Sequence, residues 1–93
     1  MTTLKTFSHT IHLHISKAEL ADAMYFRYFL DGLARRSHLP CDEAQLDVKD
    51  GKWTYTLVVR YMEPSLEQDW YKTVHTIEAE YNRVYNLSRN DNK

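Results

Sequence analysis

AQLDVKDGKWTYTLVVRYM, residues 44–62, holds two alternating apolar/polar runs on either side of Asp50-Gly51. Asp-Gly between such runs is the strongest short-range hairpin signal, because a two-residue type I′ turn needs positive φ at both central positions. A two-residue loop sets Lys49 opposite Lys52, Val48 opposite Trp53, Leu46 opposite Tyr55 and Ala44 opposite Leu57. One face then gathers Ala44, Leu46, Val48, Trp53, Tyr55, Leu57, Val59 and Tyr61. The other carries Gln45, Asp47, Thr54, Thr56, Val58 and Arg60. A three-residue loop slips the register and sets apolar positions against polar ones, which a half-buried sheet resists. The two-residue turn is therefore the expectation.

Outward from the hairpin, the order of elements emerges. Residues 7–16 alternate, with Phe7, His9, Ile11, Leu13 and Ile15 on one face and Ser8, Thr10, His12, His14 and Ser16 on the other, as in a half-buried strand. Ser16 and Glu19 form a capping box, S-x-x-E, and Ile15 with Leu20 fits the accompanying hydrophobic staple. A helix is predicted over 17–36, with Ala23, Phe26, Phe29, Leu30 and Leu33 as its main stripe. Ala21, Met24, Tyr25 and Tyr28 lie on another side, and the helix reads through Gly32. Residues 37–43 make a loop, in which Pro40 holds Leu39 extended.

After the hairpin, Pro64 sits early in a second helix, with Ser65 and Gln68 as a second capping box. Its narrow stripe is Leu66, Trp70, Val74, Ile77, Tyr81, Val84 and Tyr85. Residues 1–6 and 88–93 are expected to be flexible ends of a single domain spanning 1–93. The order is β-α-β-β-α. A right-handed crossover makes the first two strands parallel and puts both helices on one face. The third strand, longest and apolar on both faces at Val58-Val59, belongs in the centre, antiparallel to both neighbours. This is an α+β fold with a three-stranded antiparallel-type sheet, the ferredoxin-like plan without its last strand.

Composition narrows function by exclusion. Charged residues form 27% of the 93 and nearly cancel, at net −1, unlike a strongly basic nucleic-acid binder or an acidic DNA mimic. The lone Cys41 excludes an internal disulfide and fits a reducing compartment. No basic-then-apolar leader pattern opens the chain, and no apolar run nears the roughly 20 residues a membrane span needs. A soluble, cytoplasmic protein is the expectation. Two glycines leave no phosphate-cradling loop.

Chemistry-bearing residues are sparse. His12 and His14 share a strand face, as a metal pair requires, with Asp47 as a third donor if the sheet brings it near. Zinc, however, needs three or four converging ligands, so no metal or other cofactor is assigned. His38 and Cys41 sit in one loop without an oxyanion-hole motif, and Cys41 reads as a small filler rather than a nucleophile. No catalytic residue is assigned. The open sheet face offers Thr10, His12, His14, Thr54, Thr56 and Arg60, while the aromatics needed to stack bases point the other way. Arg35, Arg36 and His38 make a small basic corner.

Seven tyrosines and two tryptophans exceed the needs of so small a core. Met24, Tyr25 and Tyr28, with Tyr71 on the second helix, are the residue types enriched at protein interfaces. The alternative is that Tyr25 and Tyr28 fill the groove between the helices. In size, scarcity of glycine, absence of a catalytic motif and interface-type aromatics, the chain resembles the small inhibitors carried by phages and mobile elements, anti-CRISPR proteins among them. That resemblance implies a non-enzymatic inhibitor that docks on a host protein or ribonucleoprotein complex and blocks a nucleic-acid or subunit-binding surface. Arg35, Arg36, Arg60 and His14 would then meet guide RNA or acidic protein. Two other readings are a homodimeric regulatory or structural domain and a small metal enzyme using His12 and His14.

Overall fold

The structure, a computed structural model, describes residues 3–15 and 20–90. Strand β1 (Lys5–Leu13), helix α1 (Leu20–Arg36), strands β2 (Glu43–Lys49) and β3 (Lys52–Met62), a 3-10 turn (Pro64–Leu66) and helix α2 (Glu67–Asn90) follow in the expected order. The sheet runs β1-β3-β2, with β3 central and antiparallel to both neighbours. The predicted hairpin register holds at every pair, from Lys49 opposite Lys52 to Ala44 opposite Leu57. Asp50 (φ 53°) and Gly51 (φ 75°) both take positive φ, as the two-residue turn demands.

One core lies between the sheet and the two helices. Phe7, Ile11 and Leu13 of β1 meet Trp53, Tyr55, Leu57 and Val59 of β3 and the inner sides of the helices: Ala23, Phe26, Leu30 and Ala34 on α1, and Trp70, Val74, Ile77 and Tyr81 on α2. Phe26 meets Tyr81 edge to face at 5.0 Å, a favoured aromatic geometry that joins the helices. Three polar groups in this core find partners, while the buried Trp53 indole N–H has none among the described residues. The Tyr81 hydroxyl accepts from the His14 backbone N–H at 2.8 Å, the Trp70 indole donates to the Pro40 carbonyl at 2.8 Å, and the Tyr55 hydroxyl donates to Asp31.

The end of α1 shows how local chemistry stops a helix. His38 takes a left-handed φ of 54°, Leu39 N–H reaches back to the Ala34 carbonyl (3.0 Å), and His38 N–H to that of Arg35 (3.1 Å). This pair of bonds is the Schellman pattern, and the accompanying apolar contact is supplied by buried Leu39 over buried Ala34. Pro40 then prevents any continuation. The loop histidine thus serves as a C-cap, and Cys41 packs against the core with its thiol on the Glu43 carbonyl (3.2 Å).

Several expectations need correction. β1 starts at Lys5, paired with Met62, and ends at Leu13, so residues 5 and 6 are sheet and 14 and 15 are not. α2 continues through 88–90, which were expected to be loose. The Ser16/Glu19 capping box and the helix start at Lys17 lie outside the described residues. Leu20 is 61% exposed, so it gives Ile15 no buried staple partner. The 3-10 turn is capped by Glu63 without a side-chain hydrogen bond. Ser65 lies inside that turn rather than ahead of it, so the Ser65/Gln68 box does not form. Tyr61, assigned to the core face, is 79% exposed. The cause is a bulge: Lys5 pairs with Met62 but Phe7 with Val59, so Thr6 opposes both Arg60 and Tyr61. The extra residue turns Tyr61 outward and brings Met62 against the core instead. Val48, also expected inside, is 48% exposed on edge strand β2.

Candidate docking surface

Two surfaces carry most of the predicted binding residues once the core is closed: the outer side of α1 and the uncovered face of the sheet. α1 turns by 100° per residue, so Ala21, Tyr25, Tyr28, Gly32 and Arg35, spaced 4-3-4-3, line up on one side. Ala23, Phe26, Leu30 and Ala34, the buried set, lie on the opposite side. Tyr25 is 57% and Tyr28 66% exposed, so neither fills the groove between the helices. Tyr25 is held edge-on against Phe26 at 5.2 Å, which restrains its ring while leaving its outer edge in solvent. A β-carbon at Gly32 would meet only the Arg36 guanidinium, at 3.9 Å, so nothing else of the fold covers that position.

Met24 is half-buried beside this stripe, and Arg35 and Arg36 end it, both exposed. Among the described residues neither arginine has an ion-pair partner, whereas Arg27 is committed to Asp31 at 3.8 Å. Asp31 is also the acceptor for the buried Tyr55 hydroxyl. The structure therefore gathers Met24, Tyr25, Tyr28, Arg35 and Arg36 on one helix and leaves its outer surface unpartnered.

It does not gather the other predicted binding residues there. The Tyr71 hydroxyl donates to the Ser8 carbonyl (3.3 Å) and its ring packs on Phe7 and Trp70, so its role in the fold is structural. Arg60 projects near the β3 bulge, where its guanidinium meets Glu43 at 2.9 Å and its backbone N–H donates to the Asp42 carboxylate at 2.6 Å. Glu43 raises the Arg60 pKa through that hydrogen bond and then by its charge. Thr54 sits mid-sheet between His12 and Asp47, one residue from each outer strand.

His12 and His14 do not converge as a metal pair. β1 ends at Leu13, so strand alternation stops, and the His14 ring turns to the helix side, stacked on Tyr81 and tilted against Tyr85. Asp47 is two strands away from His12, roughly 10 Å at the usual strand spacing. The uncovered sheet face consists of cross-strand rows, Ser8/Val58/Glu43, Thr10/Thr56/Gln45 and His12/Thr54/Asp47, with Thr10 and Thr56 hydroxyls bonded at 3.1 Å. Among the described residues these rows hold no Phe, Tyr or Trp on which a base would stack.

No protein-family model matches this chain, and neither a curated protein nor a solved structure resembles it at a significant level. Among the described residues, no helix is long and apolar enough to cross a membrane.

Proposed function

We propose that this protein is a non-enzymatic binding module that docks on a larger protein or ribonucleoprotein complex through the outer side of α1. The observation that carries the reading is the exposure of Tyr25 and Tyr28 in the middle of a stripe facing away from a core that α1 has already completed on its other side. Tyrosine offers large contact area with few rotatable bonds, and buried aromatics dominate measured interface energies. Arg35 and Arg36 at the end of the stripe supply charge for an acidic protein surface or a phosphate backbone. The resemblance to small inhibitors of phages and mobile elements, anti-CRISPR proteins among them, makes the action steric. The module covers a surface that nucleic acid or a subunit would otherwise occupy, in a reducing, cytoplasmic setting.

A Tyr25→Ser/Tyr28→Ser variant tests the surface at two exposed positions, removing only the Tyr25 contact with the core residue Phe26. Truncating each tyrosine is expected to cost about 1–2 kcal/mol of binding, so the pair weakens capture of the partner roughly 30-fold or more. Far-UV circular dichroism and Tm should stay unchanged. A partner retained in equal amount by both proteins removes α1 from the interface.

One observation favours a second reading. The sequence of small and aromatic residues along the stripe, Ala21-Tyr25-Tyr28-Gly32, is a palindrome: an antiparallel copy of α1 would set Ala21 against Gly32 and Tyr25 against Tyr28. A homodimer of that kind satisfies the isologous requirement of two-fold symmetry. Light scattering over a dilution series separates the readings, since a monomer at high concentration leaves only the heterologous one.

A further inference from the structure

His9, His75 and Glu78 are scattered in sequence but converge at the edge of the layer between β1 and α2. His75 and Glu78 are three apart on α2, so they rise from the same side of the helix. His9 stands on the helix-covered face of β1, between buried Phe7 and Ile11, and is itself half-buried. Its Nε2 is 3.0 Å from Glu78 Oε1, and His75 Nδ1 is 3.7 Å from the same oxygen. The two imidazole rings meet edge to face at 5.0 Å, and one donor atom from each of the three residues lies within 4.8 Å of the others.

The His9–Glu78 contact is also a hydrogen bond, and the spacings of all three groups fit a metal site. With Zn–N and Zn–O bonds of roughly 2.0–2.2 Å and tetrahedral angles, ligand atoms sit about 3.3 Å apart. The two distances to Glu78, 3.0 and 3.7 Å, bracket that value. A salt bridge between His9 and Glu78 needs no third group, whereas here a second ring nitrogen closes on the same carboxylate oxygen.

We propose that His9, His75 and Glu78 form a three-ligand site for a divalent transition cation of the zinc type. Two imidazoles and a carboxylate suit zinc, and also cobalt, nickel and copper, better than magnesium or calcium, which take oxygen cages. The side chain of His75 is 62% exposed, so the fourth position faces solvent and takes a water or a donor from a partner. Because β1 supplies one ligand and α2 two, the cation ties the first strand to the last helix. The site lies away from the outer side of α1 and stands independently of the docking reading.

Titration calorimetry of the tag-free, metal-free protein with Zn²⁺ at neutral pH tests this. One saturable site per chain is expected, with a Tm that rises with zinc concentration, as binding to the folded state requires. His75→Ala, at an exposed position where folding is safe, and Glu78→Gln should each weaken binding by at least the roughly 10–100-fold that follows loss of even an outer-sphere partner. A His12→Ala/His14→Ala protein should bind as the wild type does. Absence of saturable binding by the wild type overturns the proposal. So does equal affinity of the wild type and His75→Ala, or loss of binding only in the His12/His14 variant.

Discussion

Tyr61 holds a backbone conformation that a bulky L-residue adopts at a cost. Its φ is 58°, in the left-handed region, where the β-carbon crowds the following carbonyl by about 1–2 kcal/mol. The ring recovers little of this by packing, since Tyr61 is 79% exposed. What sustains the conformation is the bulge. Arg60 N–H, displaced from the regular ladder, is captured by the Asp42 carboxylate, and the Arg60 guanidinium by Glu43. Tyr61→Gly should relieve the strain while adding the unfolded-state freedom of glycine, for a net stabilisation of about 0.5 kcal/mol. Urea titration would read this as a raised midpoint with an unchanged slope. A lowered midpoint would mean that the Tyr61 ring makes contacts worth more than the strain. His38 is the contrasting case: also left-handed, but a residue type that tolerates the region, and one whose conformation completes two helix-ending hydrogen bonds.

Among the elements, the hairpin depends most directly on one residue. A β-carbon at Gly51 would meet nothing within 4 Å, so the cost of replacing it is conformational and not steric. Gly51→Val, β-branched at φ 75°, is expected to destabilise by about 2 kcal/mol or more, and Gly51→Asn by much less, because asparagine tolerates the left-handed region. Thermal melts should show Gly51→Val about 8 °C or more below the wild type, at 4–8 °C per kcal/mol for roughly this size. An unchanged Tm would show that the strands are not closed at this turn. The hairpin was legible in the sequence because turn chemistry and period-two alternation agree there. So were α1 through Gly32 and the central place of β3. The β3 bulge was not, because alternation continues unbroken on paper through Tyr61 and only the pairing with Lys5 and Phe7 reveals the slip. The end of β1 was missed for a related reason: His14 and Ile15 keep the alternating pattern after the ladder has stopped, which is why His12 and His14 looked paired. At the docking surface, sequence singled out Tyr25 and Tyr28 but left their burial open, since an aromatic suits a helix groove and an interface equally well. The His9, His75 and Glu78 cluster was invisible because it joins positions separated by more than sixty residues. The sequence offered a histidine on the inner face of β1 and His75 beside Glu78 on α2, where the pair read as a solvated face.

At the scale of the whole molecule, two tyrosines sit in the core that joins the layers. Tyr55 and Tyr81 are both fully buried, one in the centre of the sheet and one in the centre of α2. Burial pushes the Tyr55 phenol well above its usual value, and its hydrogen bond to the negatively charged Asp31 pushes it further. Burial also raises Tyr81, although the His14 N–H aimed at its oxygen partly opposes the shift. The unfolded chain ionises both near pH 10, while the folded chain holds both protons to higher pH. Since the folded-state values are the higher ones, the stabilisation is complete below about pH 10 and declines as pH rises beyond it. Urea midpoints should hold level up to about pH 9 and fall steeply by about pH 11, with the slope of stability against pH set by protons that the unfolded state releases and the native state retains. Tyr81→Phe should be less stable near neutrality, because the His14 N–H loses its acceptor, yet lose less stability on alkalinisation because one of the two retained protons is gone. An equal alkaline loss in Tyr81→Phe and the wild type would place the titration elsewhere. A wild-type midpoint still level at about pH 11 would mean that the phenols are reached by water, and that the two tyrosines do not close the core as one unit.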